Sequence, residues 1–415
     1  MSAPLVQDID LTNDPQIRGN KILEDIDRIR DITPAYWSET NRCWLVTRHK
    51  DVAAIYSGKL PLGNKDRMWP VFHMIPKEEW QTRIPALVKY SELWITSTEG
   101  DKHRRLRMLI MKALSPRIVE AMRPYARARA EFLIDQALAA GGEVEFNETV
   151  SRAMTGDVLF NLIGMPPELV PQLRNWATWL MEGVGAAIPT PERLEKANLA
   201  LEEMNKAVDI ELEKRRKEPK EDVITGLLNA TEGEDKLTVD EIYAQMHTLI
   251  VAGHDTTMNT LTLSIDALGR QPEAWEYVKA NQDKMPEIVA ELQRFTAMGL
   301  GQAKLVYEDF EIDGQTIKKG DMIAALIASA NRDPEVFPEG DKLDFTRDNR
   351  KSMVFAPGIH LCLGHMLAKL QMGEFLGALA RKVDKIEAVD DALKFMPIWV
   401  FRGVYEMNIK FTPKT

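Results

Sequence analysis

The segment Phe355-Ala356-Pro357-Gly358-Ile359-His360-Leu361-Cys362-Leu363-Gly364 concentrates the most informative chemistry in this chain. Its cysteine sits in a Pro- and Gly-containing loop. An amphipathic run follows at 363–382, with Leu363, Met366, Leu367, Leu370 and Leu379 on one helical face. Backbone N–H groups and the positive end of that helix would point toward the sulfur and favour the thiolate. Gly358 and Gly364 leave room for a large flat group, and His360 can donate to an anion. Taken alone, one cysteine beside a helix is more often a small buried hydrophobe. The only other cysteine is Cys43, so a zinc or iron–sulfur cluster does not fit. A single thiolate still suits the axial position of a haem.

Outward from that loop, the chain reads as mostly helical. Of its 415 residues, 45% are hydrophobic and 28% charged, which excludes collagenous and disordered classes. A net charge of −10 argues against a nucleic-acid partner. Two cysteines cannot staple a chain of this size, and a reducing, cytoplasmic compartment fits. The N-terminus has no signal-like pattern, and no apolar run is long enough to span a bilayer, so no membrane association is expected. Helical periodicity covers 115–141, 146–164, 166–186, 191–217, 238–269 and 363–382. Strand-like patterns occupy 43–47, 303–330 around turns at Asp313-Gly314 and Lys319-Gly320, and 392–412. Residues 60–98 hold four prolines and five large aromatics and read as a long irregular loop. No linker is visible, so 1–415 reads as one domain, with 1–19 a loosely packed arm.

The run Thr238-Val239-Asp240-Glu241 is a capping box that opens the longest apolar helix. In its middle lies Ala252-Gly253-His254-Asp255-Thr256-Thr257, which breaks the apolar pattern. Two readings stand side by side: a packed kink whose threonines bond back to carbonyls, or a groove where an acid and an alcohol manage protons.

With these residues assembled, the chain resembles the cytochrome P450 family of haem-thiolate monooxygenases. Segment 355–364 resembles the haem-ligand loop, with Ala356 where the first Gly is usual. Segment 252–257 resembles the oxygen-activation helix. Glu291-Leu292-Gln293-Arg294 resembles the buried Glu-x-x-Arg pair, with Lys342 at the place of a usual third member, an Arg. His103 and Arg107 resemble a haem-propionate clamp, joined by His360 and, in place of another Arg, by Lys304. The resemblance covers residues 20–412. It implies a mainly α fold with minor β, in which a large helical lobe with a long central helix joins a small β-rich lobe.

The resemblance further implies a haem b bound by Cys362 as the iron ligand, with Phe355, Gly364, Ala252 and Gly253 against it. Thr256 would hydrogen-bond the reacting oxygen and Asp255 would feed protons, while Glu291 and Arg294 serve structure alone. The implied reaction inserts one atom of O2 into a small hydrophobic substrate. Electrons would come from a ferredoxin with its reductase, docking on Lys102, Arg104, Arg105, Lys112, Arg350 and Lys351. Pocket candidates from the family layout are Met68, Trp69, Phe72, Trp94, Trp176, Trp179, Met181, Leu249, Ala252, Met298, Leu300, Gly301, Ile398, Trp399 and Val400. A terpenoid or aromatic compound is the first expectation. Lys65, Arg67 or Arg83 as a carboxylate anchor leaves fatty or aromatic acids open. A peroxide-using or isomerising enzyme of the same fold, and a non-catalytic haem sensor, are the competing readings.

Overall fold

A computed structural model describes residues 8–11, 14, 19–65, 69–185, 190–230 and 236–415, and of residues 69 and 70 the backbone alone. The long helix is Val239–Arg270, and its capping box is formed: Thr238 accepts from Glu241 N–H and the Glu241 carboxylate accepts from Thr238 N–H. It is buried on nearly all sides between the helices Arg152–Ile163, Val170–Val184, Pro191–Lys217, Met285–Thr296 and His365–Lys382. A helix apolar all round belongs at the centre of such a bundle. The sheet lies apart from it. Five strands run in the order Ala35–Ser38, Cys43–Val46, Met322–Ala325, Gln302–Val306 and Leu62–Gly63, all antiparallel except the second pair. Two small apolar clusters pack about this sheet, separate from the helical core. Among the described residues no helix is long and apolar enough to cross a membrane.

Four sequence expectations need correcting. The stretch 60–98 is not one irregular loop: it folds into short helices at Trp69–Phe72, Lys77–Glu79, Trp80–Arg83 and Pro85–Ser91. Proline ends helices but also starts them, because the first-turn N–H has no intrahelical partner to lose. Within the expected loose arm, Ile9 and Leu11 are buried, and Asn41 bonds Ile9 O and Leu11 N–H, so this part is packed. At the C-terminus, only Asn408–Pro413 forms a ladder strand; residues 395–404 contribute isolated bridges.

The fourth correction concerns the buried ion pair. Glu291 and Arg294 are fully buried and paired in a fork, Nε–Oε2 2.8 Å and Nη2–Oε1 2.7 Å. The third member is Arg347, whose Nε lies 3.4 Å from Glu291 Oε1, and not Lys342. The Lys342 side chain is exposed and pairs with Glu339; only its carbonyl joins, accepting from Arg294 at 3.0 Å. A planar guanidinium serves a second edge of a carboxylate better than a point charge. Arg294 also donates to the carbonyls of Asn331 and Gly340, and Glu291 accepts from Asp344 N–H. Removing one charge of a buried pair strands the other. Glu291→Gln is therefore expected to lower unfolding free energy by about 3–5 kcal/mol. Lys342→Ala should change it by less than about 0.5 kcal/mol. Paired denaturant titrations of the two variants check this.

Candidate active site

The Cys362 loop is folded back on itself. Cys362 N–H donates to Phe355 O at 2.9 Å, Leu361 N–H to Gly358 O, and Ala356 N–H to Met353 O. Asn331 Oδ1 accepts from Met353 N–H at 2.7 Å and so fixes where the loop begins. Two residues have left-handed backbone, Ala356 at φ 51° and Gly358 at φ 120°. At Gly358 a Cβ would lie 2.0 Å from Tyr56 O, so only glycine fits. Gly364 differs: an added Cβ would meet nothing within 4 Å, and the residue lines a cavity.

That cavity has a volume of about 1070 Å³. It exceeds the roughly 300–1,000 Å³ of an ordinary ligand pocket, which leaves room for a large flat group and a substrate together. Cys362 faces it and is accessible there. Burial pushes the thiol pKa up, against lowering by the N–H of Gly364, the Arg107 charge and the N–H of His365. The expected thiolate-favouring groups are thus present, but desolvation outweighs them.

At one edge of the cavity, hydrogen-bond donors gather around the Arg107 guanidinium. His103 is buried on the helix Gly100–Ala113, with its ring centroid 4.2 Å from that of His360. Its Nε2 is buried and has no hydrogen-bond partner among the described residues. Arg107, one turn on, donates to Leu361 O at 2.7 Å. Burial and then the Arg107 charge hold the His103 pKa below its usual value. The opposite wall comes from the long helix, where Ala252, Gly253, Asp255 and Thr256 line the cavity. Here the helix runs unbroken. Thr256 Oγ1 donates to Ala252 O at 2.6 Å, and the same four-residue bond recurs at Thr248, Thr260 and Ser264. The back-bonding reading therefore holds, with Thr256 still half-exposed to the cavity. Asp255 is buried, its Oδ1 2.7 Å from His254 Nδ1.

Comparison with known proteins agrees with this assembly. The family model described as cytochrome P450 matches residues 187–384. The chain is 31% identical over 340 residues to the nocardicin C N-oxygenase of Nocardia uniformis subsp. tsuyamanensis, covering 81% of each. It is 29% identical to the linalool 8-monooxygenase of Pseudomonas putida, over 98% of this chain and 99% of that one. Among solved structures, cytochrome P450 CYP109Q5 from Chondromyces apiculatus superposes with a TM-score of 0.84 at 26% identity, covering 99% of this chain and 100% of that one. The chain belongs to the cytochrome P450 family.

This P450 is accordingly an oxidoreductase of the monooxygenase type, in a family whose members take diverse substrates. The family implies a haem, and the residues present fit one. A thiol faces the cavity, an edge of Arg107 and of His103, whose Nε2 has no partner among the described residues, suits carboxylates, and the space over Gly364 is free of protein. Of the remaining candidates, Lys304 does not line the cavity; its buried Nζ donates to Asn64 Oδ1 at 3.0 Å, and Asn64 lines it. Gly253 lacks a side chain for a second reason, since a Cβ there would press Leu159 at 2.9 Å.

The pocket expectations divide. Trp94, Met181, Leu249, Ala252, Met298, Gly301, Trp399 and Val400 line the cavity. Phe72, Trp176, Trp179, Leu300 and Ile398 do not: Phe72 packs on Trp80, Trp179 sits under Lys196, and Leu300 is fully buried behind the wall. Met68 lies outside the described residues, as does the Trp69 side chain. Arg83 is held by Glu79 and Glu195, and Arg67 is outside the described residues. Sequence reasoning missed Arg42 and Arg193, which line the cavity with no side-chain partner among the described residues. No motif flags them. An Ala at positive φ costs about 1–2 kcal/mol, less the chain entropy that Gly loses on folding. Ala356→Gly is thus expected to stabilise the protein by about 0.5–1 kcal/mol, read from a urea midpoint at unchanged slope. A lower midpoint would mean that the buried methyl, packed with Tyr56 and Met353, outweighs the strain.

Proposed function

We propose that this P450 uses haem b to insert one atom of O2 into a compact hydrophobic substrate, a terpenoid or aromatic compound, with electrons from a separate ferredoxin and its reductase. The observation that carries this reading is the meeting of Cys362, the His103–Arg107–His360 edge and the Asp255–Thr256 wall around one cavity. When bound, the haem supplies the binding and activation of dioxygen.

The chain's own groups do the rest. Cys362 would hold the iron as a thiolate, a form that the Arg107 charge and the Gly364 N–H favour. His103, Arg107 and His360 would hold the carboxylates of the group. Asp255 and Thr256 move protons toward the reacting oxygen, Thr256 by turning its hydroxyl from Ala252 O into the cavity. Leu249, Val251, Met298 and Val400 keep water out and orient the substrate. The linalool-oxidising relative supports a compact terpenoid. A second reading, a fatty or aromatic acid, is favoured by Arg42 and Arg193 in the cavity wall, which have no side-chain partner among the described residues.

For the electron donor, the support is one helix face. Arg104, Met108, Met111 and Lys112 are exposed on the helix whose other face carries His103 and Arg107. Much of the expected basic patch is partly neutralised, Arg104 by Asp101, Arg105 by Glu241 and Arg350 by Asp348. Free thiols at Cys43 and Cys362 suit the proposed cytoplasmic location.

The reduced, carbon monoxide-treated protein is expected to show the far-red-shifted Soret band of a thiolate-ligated haem. A band typical of neutral ligation would remove Cys362 from the role assigned. Thr256→Ala is expected to divert most reducing equivalents from product to peroxide, measured as product formed per electron consumed; full coupling in that variant would refute the proton role. Arg104→Glu combined with Lys112→Glu should slow ferredoxin-driven reduction several-fold at low salt, with less effect at high salt and an unchanged carbon monoxide spectrum.

A further inference from the structure

Asp255 does not lead straight to bulk solvent. It is buried, and its Oδ1 meets the Nδ1 of the neighbouring His254, which is fully buried. The imidazole lies nearly parallel to Phe160, with centroids 6.0 Å apart and planes 20° from one another. Since Nδ1–H is committed to a carboxylate, Nε2 of the neutral ring is an acceptor. It has no hydrogen-bond partner among the described residues, and neither has the buried Nε of Arg174.

The two groups flank the same spot. A Cβ on Gly156 would lie 3.0 Å from Arg174 Nε and Nη2 and 3.1 Å from His254 Cδ2. The imidazole edge and the guanidinium therefore both border the space left by the missing Gly156 side chain. Arg174 pairs in turn with Asp157 at 3.1 Å, and Asp157 with Arg129 at 2.7 Å; all three are partly exposed. A donor and an acceptor, both buried and both unpaired, call for a bridging water.

We propose that His254 is a positioning residue for Asp255 and the inner end of a proton path. The path runs from the Asp157–Arg174 surface pair, through one buried water held by Arg174 Nε–H and His254 Nε2, to Asp255. The water gives a proton to Nε2 and is reprotonated by solvent reaching it beside the partly exposed Asp157–Arg174 pair, while the Arg174 guanidinium keeps its own protons and only orients the water. The ring releases its Nδ1 proton to Asp255 Oδ1, and Asp255 passes it on to the Thr256 side. This rests on the proposed monooxygenase reading. It assigns work to a position that the motif containing Asp255 and Thr256 leaves open.

The test separates the two nitrogens. His254→Asn keeps a donor where Nδ1 stands, and His254→Gln keeps a polar atom where Nε2 stands. A through-ring path needs both, so each variant should lower product formed per electron consumed roughly tenfold and change the solvent deuterium isotope effect. Wild-type coupling in His254→Asn would mean that the ring only orients Asp255, and the path would be wrong. Asp255→Asn is run beside them: if it too stays coupled, the monooxygenase reading of the acid fails, not merely the path. Independently of turnover, a high-resolution crystal structure of the haem-loaded protein should show one water within hydrogen-bonding distance of both His254 Nε2 and Arg174 Nε. Density showing Nε2 bonded directly to a protein atom would overturn the proposal.

Discussion

The fork between Glu291 and Arg294 is the interaction on which the site depends. Its charge is sealed from solvent, so each remaining hydrogen-bonding position must be filled, and backbone from distant parts of the chain fills them. Arg294 takes the carbonyls of Asn331, Gly340 and Lys342, and Glu291 takes the N–H of Asp344. Asn331, held by its carbonyl, uses its side chain to hold Met353. Met353 opens the loop that ends at Cys362. A bond between two side chains on one helix therefore sets the position of a sulfur that neither touches.

The other wall is placed by a different force. The long helix sits at the centre of the bundle because it is apolar nearly all round, and its polar residues are tied locally. Asn259 bonds Asp255 O and receives Val404 N–H, locking the turn beneath the acid to the C-terminal segment. The cavity lies between a wall fixed by packing and a loop fixed by electrostatics.

Much of this was legible in the sequence, for reasons that are local. A capping box, a cysteine before a helix and a carboxylate three residues from a guanidinium need only a few neighbours to be read. The Arg347 contact was not legible, because spacing along a loop does not reveal which side chain folds back to a buried charge. Lys342 occupied the expected place in order and turned outward in space. Aromatic content was a poor guide to the pocket: Trp94 and Trp399 line it while Phe72 and Trp179 do not, since burial against a neighbour and burial against a void look alike in one dimension. Arg42 and Arg193 come from a turn and a helix start with no pattern to mark them.

The hydroxyl ladder on the long helix has a mechanical consequence. The Ala252 carbonyl already accepts the main-chain N–H one turn on, so the Thr256 hydroxyl is its second partner, not its first. When that hydroxyl rotates away, the carbonyl stays satisfied and the helix keeps its shape. Thr256 is a latch with a soft spring: its resting position is defined, leaving it strains nothing else, and the wall can change from closed to donating without moving its backbone.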